Sequence, residues 1–262
     1  MERLKELLSD GYLNTAAYFT ESWRLFLEML KNEKKWIFLI FMSSIVSRRA
    51  YSIFAKKYEK IGNMNMEGQE KLMSELYVSL IILFLAVIVI YISYNLFLKK
   101  VINKIEAQNN ITFIKGLYRA FISTLIIIAG VCAMALNIGG VSVISMVLFV
   151  ITINIIFSFL YFPPLYMTRN VTFLEAVKYN FYLSRRNKLR MIFPLSLLFF
   201  SGTLIFMVMT FILSLAGQKT ATLILYMLAP LFDTVLMAVM IIMASIIYLN
   251  REYMDMREGE IK

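Results

Sequence analysis

The sequence predicts an all-α integral membrane protein of about six transmembrane helices, with cytoplasmic amphipathic helices and a plan of three repeated units. Three observations carry this. Of 262 residues, 60% are hydrophobic and 17% charged, against about 45–50% and about 25% in soluble domains. The apolar residues fall into runs of about twenty, long enough to cross roughly 30 Å of hydrocarbon at about 1.5 Å per residue. Sustained polar–apolar alternation, the mark of membrane strands, is missing. A helix is then the form that satisfies its own backbone in lipid.

Residues 1–35 are mixed and amphipathic and read as a cytoplasmic lead-in. The opening MERLKELLSD lacks the apolar core of a signal peptide, so the first span is expected to serve as its own insertion signal. That span, 36–54, is the weakest, because Arg48 and Arg49 interrupt it. Both are expected to snorkel to the outer interface, with a lipid phosphate as the alternative partner. Residues 77–98 form an uncharged second span. The third, 121–136, extends backward through a more polar turn. It holds Cys132, the single cysteine, so no internal disulfide can form. Ala129 and Ala133 make a small-xxx-small pair. A tight outer turn at 137–140 leads to the fourth span, 141–162, which ends at Pro163 and Pro164. The fifth, 191–215, is uncharged and has Pro194 near its start. The sixth, 222–249, carries one charge, Asp233, before a cytoplasmic tail at 250–262.

With the N-terminus inside, the cytoplasmic segments hold 20 of the 27 Lys and Arg residues. This fits the positive-inside rule, although the outer stretch 55–76 is itself basic. Both termini are therefore expected in the cytoplasm, in a cell (inner) membrane. The formal charge of +10 reads as topology and attraction to anionic headgroups rather than as nucleic-acid binding.

The cytoplasmic segments resemble one another. Residues 111–121 read ITFIKGLYRAF and residues 171–181 read VTFLEAVKYNF; residues 18–38 align without a gap on 173–193. Phe173, Ala176, Val177 and Phe181 share one helical face, as do Phe113, Gly116, Leu117, Ala120 and Phe121. Thr172 and Glu175 form a capping-box pattern. Basic residues follow at Arg185, Arg186, Lys188 and Arg190. Two readings stand: these helices lie at the interface and anchor the bundle, or Phe173, Phe181 and the basic cluster contact a partner such as a cytoplasmic ATPase, another membrane subunit or lipid headgroups.

Residues 170–200, NVTFLEAVKYNFYLSRRNKLRMIFPLSLLFF, resemble a broad group of bacterial six-span membrane proteins that includes the membrane domain fused to glycerophosphodiester phosphodiesterases. Residues 246–259, IIYLNREYMDMREG, look like the end of that domain. The resemblance covers about two thirds of the chain and implies a fold more than an activity. The phosphodiesterase chemistry belongs to a separate soluble barrel and does not carry over to a chain without histidine.

No enzyme constellation is legible. There is no histidine for general-base work, no metal-ligand cluster and no phosphate-cradling glycine loop. No cofactor is expected. Asp233 is the most informative residue. A charge at mid-span costs about 2.5–3.5 kcal/mol on insertion scales, so it is protonated, paired or facing a wet cavity. Pro230, three residues earlier, should kink the helix. Asp233, Asn154 and Asn95 are candidates for an ion or substrate path. Asn95, Asn154, Tyr91 and Tyr94 are equally candidates for structural hydrogen bonds to a protonated acid. The expected function is a non-enzymatic transport component, permease-like or accessory. The alternative is a structural or protective membrane protein, such as an envelope scaffold or immunity factor.

Overall fold

The computed structural model describes residues 1–62, 66–107, 111–138, 152, 158–185, 188–215 and 218–260. Within them the chain is helical and contains no strand. The helices are α1 (Glu2–Asp10), α2 (Thr15–Asn32), α3 (Lys34–Gly62), α4 (Met66–Glu106), α5 (Phe113–Ile138), α6 (Phe162–Thr168), α7 (Phe173–Ser184), α8 (Lys188–Leu215) and α9 (Gln218–Glu260). Among the described residues four stretches are long and apolar enough to cross a membrane: Lys34–Lys60, Met73–Glu106, Lys188–Leu215 and Leu228–Arg257. They correspond to the first, second, fifth and sixth expected spans. The third expected span falls on α5, continuous for 26 residues. The fourth, 141–162, lies almost wholly outside the described residues.

The helices run well past their apolar stretches. α4 has 41 residues and α9 has 43, each about 60–65 Å long, roughly twice the hydrocarbon thickness. Only residues 63–65 separate α3 from α4, so most of the outer stretch 55–76 is helix. An ion pair between Lys57 and Glu75 at 3.4 Å links the two helices there. Lysine and glutamate are good helix formers, and they prolong a helix beyond lipid as readily as leucine prolongs it within.

Neighbours in sequence are antiparallel in space. Between α4 and α5, Asn95 Nδ2 donates to Thr124 Oγ1 at 3.3 Å and Lys99 Nζ donates to the carbonyls of Ile111 and Thr112 at 2.7 and 3.3 Å. Between α8 and α9, the Phe206 and Phe232 rings lie 5.2 Å apart. Gly202 lets these two helices close up, since a Cβ there would stand 2.7 Å from Leu236 Cδ1. α9 is the central helix, with 56% of its membrane-length window buried, against 6% for α8.

Both termini gather at one end of the bundle, here called the terminal end. Asn250 organises it. Its Oδ1 accepts from the Leu13 backbone N–H at 3.1 Å and the Tyr18 hydroxyl at 2.7 Å, and its Nδ2 donates to the carbonyls of Leu8 and Gly11, both at 2.8 Å. Beside it, Arg169 clamps two acids from distant helices. Its Nη1 and Nη2 reach the Glu106 carboxylate at 2.9 and 2.6 Å; its Nε reaches Glu252 Oε1 at 2.7 Å and its Nη2 also contacts Glu252. Burial opposes the Arg169 charge, but the bonds to Glu252 and Glu106 outweigh it and hold the pKa above its ordinary value. Arg119 donates to the carbonyls of Tyr166, Arg169 and Val171 at 2.5–2.8 Å. The first two are acceptors at the end of α6, and the third lies in the connection to α7.

α2 lies across this end, in contact with both α9 and α4. Tyr18, near its start, meets Asn250 of α9, while Glu28 and Glu33, near its finish, pair with Lys104 and Lys100 of α4 at 3.1 and 2.9 Å. α7 starts with the expected capping box: the Thr172 N–H donates to Glu175 Oε2 at 2.8 Å and the Glu175 N–H to Thr172 Oγ1 at 3.4 Å. The three segments aligned in the sequence adopt two different forms. Residues 18–32 and 173–184 belong to separate helices, whereas 113–121 runs without a break into the rest of α5, where no helix-breaking residue intervenes.

Candidate functional site: an ion pair between α3 and α9

On α3, positions 40, 44 and 48 lie one turn apart on one face. Ile40 and Ser44 are buried, and Arg48 follows them. On α9, Pro230 has no N–H to continue the helix ladder, and Thr234 Oγ1 donates to the Pro230 carbonyl at 2.7 Å. Such a back-bond, added to a proline, bends a helix. Asp233 sits at this disturbed turn.

Arg48 Nε donates to Asp233 Oδ2 at 2.6 Å, and Nη2 contacts the same oxygen. The pair joins two membrane-length helices 185 positions apart. It is not sealed, for the side chains are 44% and 35% exposed. Tyr94 of α4 lies near enough to feel the Asp233 charge and packs edge-on against Tyr91, with centroids 6.0 Å apart.

The apolar run of α9 extends on both sides of Asp233, with residues 221–232 reading ATLILYMLAPLF before it, and Asp233 stands about 25 Å along the helix from Asn250. Tyr51, Tyr58 and Tyr77, all well exposed, lie just beyond Arg48 on α3 and α4, where an aromatic girdle marks a membrane–water boundary.

The other candidates are dispersed. Asn95 is buried and bonded to Thr124, whose hydroxyl in turn donates to the Ala120 carbonyl at 2.8 Å; it ties α4 to α5 rather than serving Asp233. Asn154 and Arg186 lie outside the described residues. Phe173 packs on Phe162 and Tyr166, centroids 5.7 and 5.9 Å away, and Phe181 packs on Phe159 at 5.2 Å. Both remain about two-fifths exposed, and Leu174, Tyr182 and Leu189 more so. Arg185 caps the C-terminus of α7 through its backbone N–H, and Lys188 opens α8. The Arg190 guanidinium lies over the Tyr12 ring, 3.8 Å from its centroid, so this member of the basic cluster is engaged within the protein. Among the described residues no group of three or more His, Cys, Asp or Glu is placed to hold a metal ion.

Sequence reasoning missed Arg48 as the partner of Asp233. One signal was available: two of the strongest charge intrusions into apolar runs are opposite in sign. The Arg169–Glu106–Glu252 clamp had no comparable signal, since each member lies in an ordinary polar segment. No protein-family model, curated protein or solved structure matches the chain.

Proposed function

We propose that the protein is a non-enzymatic component of a membrane transport system, in which the Arg48–Asp233 pair forms the polar end of an ion or substrate path between α3, α4 and α9. The observation that carries this reading is the pair itself: opposite charges on two membrane-length helices, in contact yet more than a third exposed. A purely structural pair gains most when enclosed and fully hydrogen-bonded. One left open within an apolar stretch needs water or a polar solute beside it. The proline turn next to Asp233 gives α9 a place to bend as the pair opens. Six spans and cytoplasmic termini complete the proposal. The basic terminal end supports the orientation, and the likeness of residues 170–200 to six-span bacterial domains supports the count. An ATPase or second membrane subunit would dock at the terminal end, on the exposed face of α7.

The second reading, a scaffold or immunity factor, draws on the same pair, because Arg48 already neutralises Asp233 without any substrate. The discriminating experiment compares cells producing the parent protein, Asp233→Asn, and the charge swap Arg48→Asp with Asp233→Arg, at matched membrane levels. Solute content is profiled by mass spectrometry. Transport predicts that Asp233→Asn abolishes the parent's solute signature and that the swap restores part of it. Identical profiles for parent and Asn variant sink the transport reading.

A further inference from the structure

A groove of about 460 Å³ runs between α8 and α9, along Leu198–Ile205 on one side and Phe232–Val239 on the other. Phe19, Thr20 and Trp23 of the crossing helix α2 close it at the terminal end. Its lining offers nothing to a polar solute. The hydroxyls of Thr20 and Ser201 already donate to the carbonyls of Ala16 and Leu198 within their own helices, both at 3.0 Å. The groove lies inside two of the membrane-length apolar stretches, at a depth where the surrounding medium is hydrocarbon. The helices approach closely at Gly202, where a Cβ would stand 2.7 Å from Leu236 Cδ1, and the groove opens beside that contact. Trp23, half exposed, sits at the mouth as an amphipathic ring of the kind found at headgroup level. The next residue, Arg24, has a guanidinium 59% exposed and only loosely paired with Glu21 at 3.7 Å.

We propose that this groove is a lipid site: it takes one acyl chain of an anionic glycerophospholipid from the leaflet at the terminal end, with the headgroup over α2 beside Trp23 and Arg24. An acyl chain is the occupant that matches a laterally open apolar slot within the hydrocarbon, and the exposed guanidinium next to Trp23 selects a negative headgroup.

The chain has two tryptophans, which makes the test direct. With Trp36→Phe as background, the full-length protein is reconstituted in phosphatidylcholine vesicles containing rising fractions of phosphatidylglycerol with dibrominated chains. Trp23 fluorescence should fall steeply and saturate at low bromolipid content. The half-quenching fraction should be about fivefold lower than for brominated phosphatidylcholine, the ratio expected for one cation near an anionic surface. Ser201→Phe and Val235→Phe, each made separately to fill the groove, should remove the saturating phase while helix content stays unchanged. Quenching that simply tracks bulk bromolipid, or equal curves for the two headgroups, overturns the proposal. Both comparisons are made on the background protein, so they stand even if a filled variant fails to fold.

Discussion

An aspartate in an apolar helix needs a proton, a partner or water, and at position 233 the partner is a guanidinium from the first membrane-length helix. The two members are not equivalent. Arg48 lies three residues from the exposed Tyr51, and its long stem can carry an unpaired charge to the headgroups. The short side chain of Asp233 cannot follow. Arg48→Met should therefore destabilise the protein more than Asp233→Asn, by about 1–3 kcal/mol, below the range for breaking an enclosed pair because this one is partly solvated. The double variant Arg48→Met with Asp233→Leu should recover most of the loss. Unfolding in a denaturing detergent series gives all three values, and a double variant as unstable as the sum of the singles would show no coupling. Asn250 makes a second test, since every donor and acceptor site of its amide is used in two pairs of bonds. Asn250→Ala leaves several buried groups unpaired, at about 1–3 kcal/mol each in the worst case, and should free α1 for proteolysis before the long helices unfold. The need of Asp233 for a partner was legible in the sequence; the partner was not. Arg48 had a sufficient explanation within its own helix, and contact between helices is not encoded in spacing along one of them.

Among the elements, the membrane-length helices and the start of α7 were readable because each follows from local composition: apolar runs in one case, a Thr-x-x-Glu cap in the other. Helix ends beyond the lipid were not, because Lys56, Lys57 and Glu75 suit a helix and a polar connection equally well. The division of the repeated segments also escaped, since a capped helix and the first turns of a longer one share the same periodicity. The cap of α7 can be measured. Thr172→Ala should cost about 1 kcal/mol and speed hydrogen exchange at the amides of 174–176, leaving α8 and α9 unaffected. Its hydrogen bonds hold the Glu175 carboxyl below its ordinary pKa. Because the folded pKa is the lower one, this contribution is complete above the unfolded carboxylate value and fades as pH falls through the folded one. Exchange in the first turn of α7 should thus rise in acid more than the intrinsic rate does, and the excess should vanish in Glu175→Gln, which cannot ionise, whereas Thr172→Ala keeps the backbone N–H that donates to the carboxylate. Equal pH dependence in the parent and Glu175→Gln would dissociate the cap from that ionisation.

At the scale of the molecule, the structure is a sheaf of long helices tied at one end. The terminal end holds α1, α2, α6 and α7, the Asn250 hub and the Arg169 clamp; the other carries the α3–α4 hairpin and its tyrosines. Lys57 and Glu75 pair across the hairpin near Tyr58 and Tyr77. In the proposed topology the two ends face opposite sides of a membrane, and charge decides which faces the cytoplasm. The segments at the terminal end carry most of the Lys and Arg residues, and positive residues resist translocation. The basic hairpin opposes this, but its acids do not offset it under a rule that counts only cations. The orientation is testable with two exposed positions, Tyr58 at the hairpin and Lys178 on α7. After Cys132→Ala removes the native thiol, Tyr58→Cys should react with a membrane-impermeant maleimide in intact cells. Lys178→Cys should react only after permeabilisation. The reverse pattern would invert the topology and move the docking face of α7 away from any cytoplasmic ATPase. Labelling of both sites in intact cells would mean that the terminal end and the hairpin end lie on the same side, which four membrane-length helices bundled antiparallel do not permit.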